Sequence, residues 1–389
     1  MTHTTEARPG IVIVTHEFAP FRGGVATYTE ELAAALHRAG QTVEVWAPDY
    51  GRRDAGERIT FPVVRLHAGG SLRLGDMIRF ARELTARRAQ LEKATVILTS
   101  VGAHLAFMIL VPLGKVKCER VLSLIHGSEV LRFQGNWFWR FWARRFFPRV
   151  ECVLTVSEFS KSLIERSFLS ALVGDVITAF GACSTAAMRP CATAKPDDGR
   201  IRILTLARVH PRKGQLDTAR ALASLPAELR SRIIYQVGGM GDAPYLRQVA
   251  AVCRDADVAF AHLGEIGPEA LAATYQQCDI CAMTSRTLST SVEGFGISYL
   301  EAGFHRKPVV GYRSGGAVEA VLDGETGLLV NEGDIAALTN AFQRLLADAA
   351  LRQRLGEGGY RHAARFSWDA TARIIINGGK AIEGSMGRS

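Results

Sequence analysis

No stretch of this 389-residue sequence approaches the ~20 consecutive apolar residues that a membrane-spanning helix requires. The longest apolar run, Leu105 to Gly114, is ten residues long and contains Pro112. The first ten residues, MTHTTEARPG, are polar and lack the apolar segment of a secretory signal. Cysteine is scarce: seven residues, odd in number and irregularly spread, which excludes a secreted disulfide framework and suits a reducing compartment. There is no low-complexity tract or short repeat, and 48 % hydrophobic with 22 % charged residues excludes a disordered or collagen-like chain. The expectation is a folded, cytoplasmic protein, long enough for two to three domains at roughly 150 residues each.

Charge is present but uneven. The net charge is +9, and residues 1–190 carry 24 Lys and Arg against 17 Asp and Glu, whereas the remainder carries 23 against 21. A basic first half attracts nucleic acid, an anionic membrane surface or a phosphorylated substrate, and charge alone does not choose among them.

Short continuously apolar runs recur with helix-length segments between them. The first series is 11–15, 43–47, 95–99, 121–125 and 152–156; a second begins at 201–206 and continues with 233–237, 279–283, 308–311 and 327–330. Continuous runs suit parallel strands covered on both faces. Val25, Tyr28, Leu32, Leu36 and Ala39 fall on one helical face ahead of Gly40. The fold class is therefore α/β, with two doubly wound domains facing across a cleft. The stretch 189–200, with two prolines and no periodicity, reads as the linker. Expected bounds are 1–188, 189–365 and a closing helix within 366–389 that returns to the first domain. In such sheets ligands bind beyond the carboxyl ends of the strands, so motifs placed just after strands matter most.

Five do so. Glu293 to Glu301 reads EGFGISYLE, with two carboxylates straddling a Gly-Phe-Gly turn that opens a helix; Glu301 is expected two turns in. Glycines there let a ligand approach the backbone, and a helix start presents free amides. LARVHPRKG, 206–214, clusters Arg208, Arg212 and Lys213, a set suited to a diphosphate. Gly23 and Gly24 open a helix after the first strand, as an anion nest would require. His126 ends a strand in IHGSE, and SGGAVEAV follows the strand at 308–311.

Taken in order, GGV, HGSE, ARVHPRKG, VGGMGD, HLGEI, EGFGISYLEA, SGGAVEAV and DGETGLLV resemble the retaining glycosyltransferases of the GT-B fold, in the large family that includes the phosphatidylinositol mannosyltransferases. The resemblance covers nearly the whole chain. It implies Rossmann-like domains, acceptor-binding first and nucleotide-sugar-binding second. It implies that Arg208 and Lys213 hold the donor diphosphate, that Glu293 binds the transferred sugar, and that Gly294, Phe295, Gly296 and Ile297 offer backbone amides. Glu301 would hold the ribose, Gly23 and Gly24 would approach the phosphates, and the backbone around Gly264 and Glu265 would meet the base of a UDP- or GDP-sugar. His126 and Glu293 are the implied catalytic residues. No metal or other cofactor is implied. The family's Asn-Gly-Val-Asp hinge is replaced here by Phe180, Gly181, Ala182 and Cys183. A nucleotide-sugar epimerase or hydrolase of the same fold, or an inactive sugar-nucleotide-binding module, are the alternatives.

Other features read as ordinary structure. Asp255 and Asp257 match an Asp-x-Asp metal motif but lie between a helix and a short strand, and Cys278 with Cys281 lacks the second pair of a zinc site. VGGMG lacks dinucleotide-loop spacing. The segment 132–149 joins Trp137, Trp139 and Trp142 with Arg140, Arg144 and Arg145 and holds no acid. It reads either as a packing helix or as an interface helix on an anionic membrane that carries a glycan or lipid-linked acceptor. A nucleic-acid partner is not expected.

Overall fold

The computed structural model describes residues 10–21, 23–51, 59–191 and 193–377. The chain divides into two compact units, Met1–Gly181 with Trp368–Ser389, and Ala182–Ser367.

The first unit is built on a parallel sheet of β1 (Ile11–Val14), β2 (Val43–Pro48), β3 (Val63–Leu66), β4 (Thr95–Leu98), β5 (Arg120–Ile125), β6 (Cys152–Thr155) and β7 (Asp175–Thr178), in the order β3-β2-β1-β4-β5-β6-β7. The second is built on β8 (Ile201–Leu206), β9 (Ile233–Gly238), β10 (Ala259–Gly264), β11 (Ile280–Met283), β12 (Val309–Tyr312) and β13 (Gly327–Val330), in the order β10-β9-β8-β11-β12-β13. Strand order reverses between β1 and β4 and again between β8 and β11. In doubly wound sheets ligands bind beyond the carboxyl ends of the strands at such reversals.

Three strands escaped the sequence pattern, and each lies at a sheet edge: β3, β7 and β10. Their residues are mostly half-buried or exposed, whereas the fourth edge strand, β13, is buried and was read as an apolar run. Central strands such as β1, β6 and β11 are buried throughout.

The helix Gly24–Arg38 buries Tyr28, Leu32 and Leu36, while Ala39 is exposed at its end. Tyr28 is the principal tie in this unit. Its hydroxyl donates to the carbonyl of Ala179 at 2.7 Å, and its ring meets the edge of Trp368 with centroids 5.0 Å apart. Trp368 opens the helix Trp368–Ile376, where Thr371 Oγ1 donates to the Phe180 carbonyl at 2.6 Å. The closing helix thus belongs to the first unit; its expected extension past residue 377 lies outside the described residues. The division at Gly181 and Ala182 precedes the proline-marked stretch because Ala182, Cys183, Ser184 and Ala187 are buried in the second unit.

Removing the Tyr28 hydroxyl leaves the Ala179 carbonyl, in a fully buried residue, without its donor. Tyr28→Phe is expected to cost about 1–2 kcal/mol of stability, read as a lower urea midpoint at unchanged slope.

Candidate active site

In the second unit the site forms around the β8–β11 switch. After β8 the chain makes a tight turn through His210, Pro211, Arg212 and Lys213, in which His210 Nδ1 accepts the Arg212 amide at 3.1 Å. The turn is fastened to the end of β11, because the Arg286 amide donates to the Arg212 carbonyl at 2.7 Å. VGGMGD braces it from the other side: Val209 donates to Met240 O and Asp242 donates to Val209 O, each at 2.9 Å. The motif set aside as a poor dinucleotide loop therefore supports the basic one.

This bracing directs two cations at one carboxylate. Lys213 Nζ lies 2.7 Å and Arg212 Nη1 3.2 Å from Glu293 Oε2. Glu293 is 8 % exposed. Burial by itself disfavours its ionised form. Lys213, Arg212 and a hydrogen bond from Ser285 more than offset that penalty and bring the carboxyl to about 2. Burial also lowers Lys213, an effect that Glu293 opposes. Arg212 stood in the basic cluster of the sequence; Ser285 carried no signal there. Arg208 stands exposed at the same turn.

The Gly-Phe-Gly turn is held from below by the glycines of SGGAVEAV. Gly316 N donates to Glu293 O at 2.9 Å, and a Cβ at Gly316 would fall 2.0 Å from the Gly294 carbonyl oxygen. Gly296, at φ +94°, precedes the helix Ile297–Phe304 in a conformation glycine adopts at little cost. Phe295 turns its ring inward against Phe366, with centroids 5.4 Å apart. Its side chain is thus committed to packing, and the turn offers backbone. The first amides of the helix have no partner within it and carry its positive dipole end.

Glu301 is the fifth residue of this helix, just past its first turn and not two turns in. Its carboxylate accepts from Ser184 Oγ, and from the Tyr275 hydroxyl at 2.9 Å. Burial, reinforced by Glu301, keeps the Tyr275 phenol protonated. Neither Ser184 nor Tyr275 was visible as a site residue, since both lie far from Glu301 in sequence. Gly264 ends β10 at φ +70°, its carbonyl accepting from Gly239 N at 2.7 Å. Cys278 and Cys281 are buried with their sulfurs 3.6 Å apart, and no cluster of three or more metal-ligating side chains occurs among the described residues.

In the first unit, Gly23 caps the helix that Gly24 begins, and a side chain at Gly24 would meet open space. His126 leaves β5 with Nε2 3.1 Å from the Thr99 carbonyl, which makes Nε2 the protonated nitrogen. Burial holds its imidazole down to about 4, so it is neutral at pH 7. The segment after it forms the helix Trp137–Phe146. Its tryptophans divide: Trp137 is 80 % exposed, whereas Trp139 and Trp142 pack against the hydrophobic core. Arg140, Arg144 and Arg145 are exposed beside Phe138 and Phe141. Trp139 and Trp142 are thus half-buried, with part of each ring committed to the core.

The Glu293 pair has a defined acid limit. Its folded pKa lies below the ordinary carboxylate value of 4.5, so its stabilisation is complete above 4.5 and is lost as pH falls through about 2. Glu293→Gln, which strands two cations, is expected to cost roughly 2–3 kcal/mol near neutral pH. The urea midpoints of the two proteins should converge between pH 4.5 and 2.

Comparison with known proteins identifies the family and the fold. The profile of glycosyl transferases group 1 matches residues 192–362, and that of Glycosyltransferase Family 4 matches residues 22–171. A GDP-mannose-dependent alpha-(1-6)-phosphatidylinositol monomannoside mannosyltransferase of Mycolicibacterium smegmatis is 30% identical over 380 residues, covering 93% of this chain and 96% of its own. A GDP-mannose-dependent monoacylated alpha-(1-6)-phosphatidylinositol monomannoside mannosyltransferase of Corynebacterium glutamicum is 25% identical, covering 94% and 96%. Among solved structures, sucrose-phosphate synthase from Thermosynechococcus elongatus superposes with a TM-score of 0.80 at 22% identity over 95% of this chain and 98% of its own. Anabaena HepE in complex with UDP-glucose gives 0.73 at 18%, over 94% and 98%. The fold is that of the GT-B glycosyltransferases, and the chain belongs to glycosyltransferase family 4.

Proposed function

We propose that this glycosyltransferase moves a mannosyl residue from GDP-mannose to a phosphatidylinositol-linked acceptor, with retention at the anomeric carbon and without a metal ion. The observation that carries the reading is the Lys213–Glu293–Arg212 cluster beside the amides of the Gly-Phe-Gly turn. Donor and acceptor follow from what the relatives that span the chain are named for.

In the transfer, negative charge grows on the departing diphosphate. Arg208, Lys213 and the amides of Phe295, Gly296 and Ile297 meet it with fixed positive charge and dipoles that need no reorganisation. Glu293, ionised at any working pH, accepts hydrogen bonds from the hydroxyls of the transferred sugar. Glu301, fixed by Ser184 and Tyr275, does the same for the ribose. No side chain stands out as a covalent nucleophile. Front-face attack, with the departing phosphate oxygen taking the acceptor proton, gives retention without one.

An acceptor embedded in a bilayer requires the enzyme to reach the surface. No helix of the described residues is long and apolar enough to cross a membrane. The helix Trp137–Phe146 offers Trp137, Phe138 and Phe141 to the headgroup layer, with Arg140, Arg144 and Arg145 for anionic lipid.

The test is turnover of GDP-mannose with phosphatidylinositol mannoside in excess EDTA, with product anomers assigned by NMR. Lys213→Ala and Glu293→Ala should each lose about 10²–10³-fold in kcat. Near-wild-type turnover in both variants refutes the site, and a requirement for added metal refutes metal independence. Epimer or rapid free sugar without acceptor would favour an epimerase or hydrolase. Sedimentation with anionic vesicles should weaken at high salt and in an Arg140/Arg144/Arg145→Glu variant; equal binding would refute the membrane contact.

A further inference from the structure

Glu129, the acid of the His-Gly-Ser-Glu segment, has no part in the chemistry above. It is 1 % exposed, in the first turn of the helix Ser128–Gln134. Its carboxylate folds back over the preceding turn: Oε2 accepts the His126 amide at 3.0 Å, and the amides of Gly127 and of Glu129 itself also bond to the carboxylate. Gly127, at φ +109°, lets these amides turn inward together.

The groups bonded to the carboxylate are all N–H donors, which an ionised, acceptor-only carboxylate satisfies. A protonated one would aim its own O–H at a wall of donors. The surroundings nevertheless disfavour the charge. Burial, with repulsion from Glu17 on the loop after β1, outweighs the amides and raises the carboxyl to about 7. His104, on the helix Val101–Leu110, and His126 are both held neutral down to about 4 by burial. His16, after β1, is likewise lowered to about 4 by burial, with Arg132 of Glu129's own helix adding to the effect. Among the described residues, the groups that bear most on Glu129 are amides and Glu17, with no cation among them.

A carboxyl whose folded value lies above its unfolded value favours folding below the ordinary carboxylate range, and that contribution is lost as pH rises through about 7. At and above neutral pH the charge therefore works against stability. What it does supply is geometry: His126 sits with Nε2 on the Thr99 carbonyl and its ring 5.3 Å from that of Tyr28, edge to face.

We propose that Glu129 is a positioning residue whose ionised carboxylate clasps the 126–129 turn and fixes the His126 ring in its working place. This rests on the reading of His126 as the sugar-side residue of the transfer. Once the clasp is protonated the turn loosens. The acid limb of the transfer reaction then reports Glu129, although Glu129 itself touches neither substrate.

The experiment compares the full chain and its Glu129→Gln variant, which keeps the shape and removes the titration. In the wild type, kcat/KM should fall about tenfold per pH unit below about 7. The ¹⁵N ring signals of His126 should move with the same midpoint, well above that residue's own titration near 4. In Glu129→Gln both transitions should vanish and kcat should drop at about pH 8, with Tm there equal or higher. A variant that keeps the acid limb at the same midpoint overturns the proposal. So does one whose His126 signals match the wild type, or whose activity falls only in step with Tm. A His126→Ala protein with wild-type turnover would remove the part of His126 in transfer, and the ring signals would then judge the clasp by itself.

Discussion

The organisation of the second unit follows from one constraint: a carboxylate and two cations must be kept together where water is nearly excluded. Lys213 and Arg212 converge on one oxygen of Glu293. The arrangement persists because neither side can leave without stranding the other in a poorly solvated place. The elements around it serve that pairing. The turn after β8 is tied to β11 and to the loop after β9, and the Gly-Phe-Gly turn rests on Gly315 and Gly316. Motifs spread between Leu206 and Val321 are thus the walls of one small electrostatic cell.

This explains what could be read from the sequence and what could not. Buried parallel strands announce themselves as unbroken apolar runs, so the two-sheet architecture was legible, including the edge strand β13; edge strands β3, β7 and β10 were not, because they are mostly half-exposed and their apolar pattern is broken. The basic turn and the Glu-x7-Glu segment were legible because their residues are contiguous and chemically unusual. Ser184 and Tyr275, which hold Glu301, were not, since they are common residues brought close only by folding. VGGMGD was rightly kept from the dinucleotide loops, but its bracing role was not legible, because its glycines answer to the backbone of Ala207 and Val209, which only folding brings alongside. The tryptophans of 132–149 show a further limit. Composition marked the segment, but only the helical phase separates Trp137, facing out, from Trp139 and Trp142, half-buried against the core.

The first unit solves a different problem. At the ends of β1, β4 and β5 it gathers His16, His104, His126, Ser100 and Ser123, most of them buried. These groups satisfy one another: His104 bridges Ser100 O at 2.8 Å and Ser123 Oγ at 2.7 Å, and His16 Nδ1 accepts the Gly102 amide at 3.2 Å. The result is a polar but uncharged wall, in which each imidazole is fixed in tautomer by its partners.

Two glutamates show how far surroundings govern a shared side chain. Glu293 and Glu129 are both buried, and burial pushes both toward protonation. Glu293 faces an ammonium and a guanidinium, and their attraction overrides the penalty so fully that the carboxyl falls to about 2. Glu129 faces backbone amides, whose dipoles recover only part of the loss, with Glu17 adding repulsion, and its carboxyl rises to about 7. The first is locked in one state across the range in which proteins work. The second stands at the midpoint of its titration near neutrality, so small changes in pH alter the turn it holds. Charge that must never change is placed against charge; charge that sets a backbone turn is placed against dipoles, and its pH sensitivity is the consequence.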